Sequence, residues 1–391
     1  MKKQSIIHRQ NSLIFFFAIV VMFTSCIRDY DPDILAKDET KYVVSGVVAN
    51  GDSIQTVNVS TSSSINAPKY YPVIGCDVKL IDDQGDVFPL EDGGNGKYSG
   101  KVDSAFLQPG SMFKVEVTTS TGDKIESDFD QITAGPALDT VYYERQDLQG
   151  NQLSALRMGI QFYTNLNGAA SDSKYYRWEA IETWEYHAMY PLEWYYDGSI
   201  HHVYPPDYSN NVCWITKRVP DIFLLSTENL SENRYERYPL HFVDNRTSRL
   251  AYGYSLLVKQ YSLSNVAYEY FEQVRINTNP TGGLYDKQPL VVKGNLHNLN
   301  HPENVVLGYF SASSVSSKRI FVKDVEDLTL DFFNDCSTLE LRAGLKQIPR
   351  DQYPGYLEGD QMGYKNYLLD KTCVNCTLSG GTKTKPAFWP L

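Results

Sequence analysis

The chain has 391 residues, a formal net charge of −11 at pH 7 and 29 tyrosines. The acidic balance disfavours nucleic acid and anionic lipid headgroups as partners, since like charges repel. The length allows two or three domains of about 100–200 residues each, and the abundance of Tyr, Val and Thr favours pleated sheet.

The chain starts Met1-Lys2-Lys3, carries the eleven-residue apolar run Leu13 to Phe23, and then reads Thr24-Ser25-Cys26. A basic start, a short apolar middle and small residues before a cut describe a secretory signal. The run is too short to span a bilayer, which takes about 20 residues. Closing on Cys rather than on Ala-x-Ala describes a bacterial lipoprotein signal. Residues 1–25 are therefore expected to be removed, and Cys26 to carry the lipid. Acyl chains stabilise insertion by about 0.8 kcal/mol per buried methylene, so membrane lipid is the first expected partner. No later apolar run approaches membrane length. Residues 26–40 read as a lipidated acidic tether. Asp29, Asp31 and Asp33 alternate as in a calcium loop, but Ile34 and Thr40 stand where such a loop needs Gly and Glu.

From Lys41 to Thr133 short strands alternate with turn signals. Tyr42 to Val48 and Thr56 to Ser60 flank Asn50-Gly51, a dipeptide that favours a hairpin turn. Phe113 to Thr118 alternates apolar and polar residues. Roughly seven strands with turns every 8–12 residues predict an immunoglobulin-like β-sandwich over 41–133.

Residues 134–391 read as a larger β-rich domain with one short amphipathic helix. Strands are expected over Ala155 to Tyr163, Lys174 to Tyr186, Leu250 to Ser262, Val305 to Ala312 and Ile320 to Val322. The helix should start at Ser264 as N-cap, bury Val266, Tyr270 and Val274 at i, i+4 and i+8 with Ala267 and Phe271 beside them, and stop before Pro280. The densest aromatic stretch starts at Trp178. Its candidates for contact with a partner or ligand are Trp184, Tyr186, Tyr190, Trp194, Tyr195 and Tyr196. Pro191, Asp197-Gly198 and Pro205-Pro206 give this stretch the look of an exposed excursion. Residues 185–206 are thus expected to be removable without unfolding the chain.

Five cysteines follow Cys26. Cys76, inside the strand-like run Val73 to Leu80, is expected to stay free as a small buried thiol. Cys213, Cys336, Cys373 and Cys376 are expected to form two bridges, for which three pairings are open.

Catalytic patterns are missing. There is no Gly-x-Ser-x-Gly elbow, no His-Glu-x-x-His and no phosphate-cradling Gly-rich loop. Ser171 and Lys174 share a Ser-x-x-Lys spacing in a polar loop without the rest of that signature. His297 and His301 lie in a poor helix, and His201-His202 reads as an exposed pair. Cys373-Val374-Asn375-Cys376 lacks the second Cys-x-x-Cys of a zinc ribbon. No cofactor, no metal and no enzymatic activity are expected.

At several points the chain resembles the Bacteroidota lipoproteins grouped as "domain of unknown function 4249". The likeness is carried by Tyr42 to Val48, Asp86 to Tyr98 and the Pro109-Gly110 turn, then by Cys213-Trp214, Val258 to Ser264 and Ala267 to Tyr270. It continues through Gln288-Pro289, Gly294-Asn295 and Leu307 to Phe310, and ends with Cys373 to Cys376, Gly380-Gly381-Thr382 and Pro386 to Trp389. The resemblance implies a lipid-anchored outer-membrane protein. The acidic run after Cys26 is similar to a cell-surface export signal, although Arg28-Asp29-Tyr30-Asp31 departs from its tidier forms and leaves the periplasmic face open. The resemblance also implies a non-enzymatic accessory of a TonB-dependent, SusC-like receptor in nutrient uptake. The alternative expectation is an independent adhesin or glycan-binding surface lipoprotein.

Overall fold

A computed structural model describes residues 40–64, 68–148, 157–278, 291–332, 336–340, 344–360, 363–368 and 370–390. The expected signal, Cys26 and all but the end of the tether lie outside the described residues, as does Gln288-Pro289. No helix among the described residues is long and apolar enough to cross a membrane.

The first strands are β1 (Tyr42–Ala49), β2 (Ile54–Thr61), β3 (Tyr71–Pro72), β4 (Asp77–Asp82), β5 (Val87–Asp92), β6 (Lys97–Lys101), β7 (Met112–Thr118), β8 (Lys124–Ser127) and β9 (Asp130–Gln131). The hairpin expected at Asn50-Gly51 joins β1 to β2, with the Asp52 N–H bonded to the Ala49 carbonyl. β1, β2 and β6 pair in one row, and β4, β7 and β8 in another. β5 belongs to both: Val87 to Leu90 pair with β4, while Glu91 and Asp92 pair with β6. Alternation then packs the two rows face to face. Val44, Val57, Val59 and Tyr98 from the first row meet Val78, Leu80, Val115, Val117 and Ile125 from the second. This is a β-sandwich whose corner is made by a strand that switches rows.

A second core lies between a three-stranded sheet and the continuation of the first. The small sheet is β10 (Thr140–Leu148), β11 (Arg157–Asn167) and, further along, β17 (Arg234–Asp244). Opposite it run β12 (Tyr175–His187), β15 (Val212–Arg218), β16 (Phe223–Ser226), β18 (Tyr254–Leu263) and β20 (Leu307–Val322). Ile160, Phe162 and Val243 pack against Trp178, Ala180, Leu256 and Val258. The indole of Trp178 stacks on Tyr238 at 4.6 Å and donates from Nε1 to Gln260 at 3.0 Å, which satisfies its polar edge. The two short strands expected at Val305 and Ile320 are one long strand, because β1 pairs its first half, Leu307 to Ser313, and β18 its second, Ser314 to Val322.

The chain belongs to the mainly β class. Among the described residues it has one α-helix, α1 (Asn265–Thr278). Ser264 caps it, its Oγ accepting from the Ala267 N–H at 3.2 Å. The buried face departs from the expected stripe at Val266. Val266 is 62% exposed, and Ala267, Tyr270 and Phe271 face the core. Both stripes satisfy helical spacing, and the small Ala267 is the side that lets the helix approach the sheet.

Residue 133 is not a break in the sheet. β1 pairs in parallel with β20, from Val43 opposite Leu307 to Ala49 opposite Ser313. β19 (Leu296–Asn298) adds to the far edge at β8. Leu296, Val306, Phe310 and Ala312 complete the first core. One continuous sheet of fifteen strands thus runs through both sandwiches, and Lys41–Leu391 forms one compact unit. Gly308 makes this joint: its φ is +97°, and a Cβ there would lie 1.9 Å from the Val44 carbonyl oxygen. Asn295 acts as a substitute strand, with Oδ1 accepting from the Phe310 N–H at 3.0 Å and Nδ2 donating to its carbonyl at 2.8 Å. The Gly294-Asn295 and Leu307-to-Phe310 segments quoted for the resemblance are the parts of this joint.

The last residues form a cap. β13 (Leu192–Tyr196) and β14 (Ile200–Asp207) make a hairpin that packs on a sheet of β21 (Leu339–Glu340), β22 (Tyr356–Asp360) and β23 (Gly363–Leu368). Cys213 bridges Cys376, and Cys336 bridges Cys373. Trp214 and Thr382 exchange backbone hydrogen bonds of 2.8 and 3.0 Å. Beyond them, Trp389 lies against Gly253 and Phe321, and the Arg319 guanidinium sits 3.5 Å from the centre of the Phe388 ring.

Candidate functional site

The aromatic candidates divide between packing and display. Trp184 is 7% exposed, within β12 between Ile215 and Tyr254 of its neighbours. Tyr186 packs beside the Cys213–Cys376 bridge. Tyr190 stacks on Tyr356 at 5.6 Å, and its hydroxyl donates to the Cys336 carbonyl at 3.3 Å. Tyr196 is buried with Leu345, Leu357 and the ring of Tyr353. Trp184 thus belongs to the second core, Tyr186 lies where that core meets the Cys213–Cys376 bridge, and Tyr190 and Tyr196 pack within the cap. Residues 185–187 also complete the β12–β15 ladder beside Cys213, so the expectation that 185–206 is removable without unfolding is corrected.

Trp194 and Tyr195 are half-buried on the hairpin, Trp194 against the cluster of Tyr196, Leu345 and Leu357. Tyr195 stacks on His201 at 4.5 Å, and Trp194 on His202 at 3.9 Å. Tyr204 follows 6.0 Å beyond His202 and is 83% exposed. Ile200, His202 and Tyr204 share one face of β14 because side chains alternate along a strand, and all three are exposed. Tyr204 and Ile200 were not singled out in the sequence, where two prolines beside Tyr204 hide the strand pattern.

A cleft of about 560 Å³ opens where the two sandwiches meet, and no local motif marks it. Its walls come from β1, β2, β6 and β20 on one side and from β12, β15, β18 and α1 on the other. Lys259 pairs with Asp52 at 2.7 Å, and Arg218 with Glu179 at 3.0 Å. Glu179 also accepts from the Tyr261 hydroxyl at 3.3 Å. Arg177 lies between the rings of Tyr261 and Phe271, with its guanidinium carbon 4.8 and 4.4 Å from their centres. Its Nη2 is 4.0 Å from Glu179, beyond hydrogen-bond length, and its Nε has no hydrogen-bond partner among the described residues. Burial pushes the Arg177 pKa down, yet an arginine keeps its charge at neutral pH.

Other ionisable clusters are closed on themselves. Glu182 accepts from Arg249 at 3.0 Å and from the Tyr254 hydroxyl at 3.0 Å, with His241 at 3.3 Å. Asp244 binds Arg157 at 2.9 Å and Arg246 at 2.7 Å. Ser171 donates to the Ala134 carbonyl, away from any base. His297 pairs with Asp128 and His301 with Glu303. No group of three or more metal-ligating side chains occurs among the described residues. Cys76 is unbridged, as expected, but half-buried rather than buried. Burial raises its thiol pKa, and its N–H donates to the Tyr98 hydroxyl at 3.0 Å.

Together these features define a β protein of two sandwiches on one sheet, with a disulfide-held cap and a charged cleft at the joint. The chain belongs to the family described as domain of unknown function (DUF4249), whose model matches residues 27–319. The match includes the joint and the cleft. It ends before Cys336, Cys373, Cys376 and the Pro386-to-Trp389 tail, so those parts of the resemblance lie beyond it. No curated protein matches the chain.

Proposed function

We propose that this protein is a non-enzymatic lipoprotein, anchored in the outer membrane through Cys26 and facing the cell surface. It works as an accessory of a TonB-dependent, SusC-like receptor in nutrient uptake. The observation that carries the reading is the exposed pair His202 and Tyr204, backed by half-buried Trp194, on a hairpin that packs on the disulfide-held cap. Exposed aromatic side chains on a rigid element lose little entropy on binding, which suits a protein contact. A pull-down of the native protein from detergent-solubilised outer membranes, followed by mass spectrometry, tests it. Recovery of a TonB-dependent receptor, reduced at least tenfold by Tyr204→Ser with Ile200→Ser, is the expected result. Recovery of the lipoprotein alone would overturn the receptor reading and favour an independent adhesin or glycan binder. Both substitutions are at exposed positions, so melting temperature should be unchanged.

A further inference from the structure

We propose that the cleft between the sandwiches binds a small acidic sugar, with Arg177 pairing its carboxylate. The cleft contains four cationic side chains, Lys97, Arg177, Arg218 and Lys259, against two carboxylates, Asp52 and Glu179. This local excess of positive charge stands in a chain whose net charge is −11. Two of the cations are already matched. Lys259 is bonded to Asp52 and Arg218 to Glu179. Arg177 has no carboxylate within hydrogen-bond length, and its side chain is only 14% exposed. A buried charge without such a partner costs stability, and a ligand carboxylate would offset that cost. The two flanking rings fix the plane of the guanidinium, so a bound anion meets an ordered donor rather than a flexible one.

The chemistry of the walls narrows the class. One guanidinium without a hydrogen-bonded carboxylate suits a monoanion. Phosphate sites more often use several backbone N–H groups at a helix start or Gly-rich turn, and the cleft walls here are mainly strand faces. Ser45, Thr56, Asn58 and Ser311 offer hydrogen-bonding groups for a hydroxylated body, and Tyr270 and Tyr309 line the same space. Exposed Lys97 adds attraction at long range. The inference is independent of the receptor, since it concerns the cleft and not the hairpin.

The test is calorimetric titration of the full chain, purified in detergent, with galacturonate, neutral galactose and inorganic phosphate. Galacturonate should bind at least tenfold more tightly than the other two, and more weakly as salt is raised. Arg177→Met should cost at least tenfold in affinity, and Arg177→Lys should retain part of it. Asn58→Trp fills the cleft from an exposed position and should abolish binding. It decides the matter if Arg177→Met fails to fold by thermal melt. Equal binding of acidic and neutral sugars, phosphate binding as tight as uronate, no uronate binding, or binding unchanged by Asn58→Trp would each overturn the proposal.

Discussion

Glu182 shows how a single buried carboxylate is kept ionised in this protein. Burial alone pushes its pKa up, but the His241 hydrogen bond and the Arg249 charge outweigh that and hold it below the ordinary 4.5. A depressed folded-state value means the stabilisation is present above the unfolded value and is lost as pH falls through the folded one. The urea midpoint should therefore drop as pH is lowered below about 4.5. Arg249→Met removes one partner of a buried pair and should cost about 3 kcal/mol at neutral pH in urea unfolding. A cost near zero would mean that Tyr254 and His241 suffice. Backbone strain gives a second prediction at this scale. Gly308 and Gly110 both have positive φ, at +97° and +99°, but a Cβ at Gly110 meets nothing within 4 Å. Gly110→Ala should cost about 1 kcal/mol from φ alone. Gly308→Ala adds the clash with Val44 and should cost about 3 kcal/mol. Equal losses would show that the joint yields freely.

At the scale of elements, the two bridges constrain loops of different length. Cys213–Cys376 spans 163 residues and Cys336–Cys373 spans 37. Chain entropy makes the longer bridge the more stabilising by about 1 kcal/mol. The double variant Cys213→Ser with Cys376→Ser should thus lose more in denaturant unfolding than Cys336→Ser with Cys373→Ser. The opposite order would show that the native cap, rather than the unfolded chain, sets the difference. A period-two strand such as β7 was legible in the sequence, because alternation is a local signal and the strand is buried on alternating residues. The face of α1 was legible except at its edge: Ala267, Tyr270 and Phe271 face the core as expected, and Val266 does not. Val266 and Ala267 begin equally spaced apolar stripes, and only the sheet beneath chooses between them. Val266→Lys should leave stability within about 0.5 kcal/mol. Ala267→Leu should cost about 1–3 kcal/mol by overpacking. The aromatic stretch was legible as unusual, but its division into cap contacts and display depends on Leu345, Tyr353 and Tyr356, which lie far along the chain.

Taken whole, the molecule has two cores and one sheet, and that combination was hidden from a linear reading. Seven or so strands before residue 133 look self-sufficient. The missing wall of their core, Leu296, Val306, Phe310 and Ala312, arrives more than a hundred residues later. A fragment of residues 41–133 is therefore expected to remain unfolded, with no dispersed amide spectrum, whereas the full chain should unfold in a single transition by fluorescence and circular dichroism. A dispersed spectrum from the fragment would show that the first sandwich stands alone. The cleft was invisible for the same reason, since its residues run from Ser45 to Ser311 and meet only once the joint has closed.

The parallel contact between β1 and β20 also has a consequence in time. Asn50 bonds to Ser314, 264 residues away, so the first strand to leave the ribosome is among the last to be paired on its second side. Until Leu307 to Ser313 arrive, that side of β1 is an open row of donors and acceptors, the kind of edge that recruits strands from other chains. Newly made chains should accordingly need a holding chaperone for most of their synthesis. Variants that slow closure of the joint, Gly308→Ala foremost, should lower the yield of folded protein more than their equilibrium stability alone would dictate.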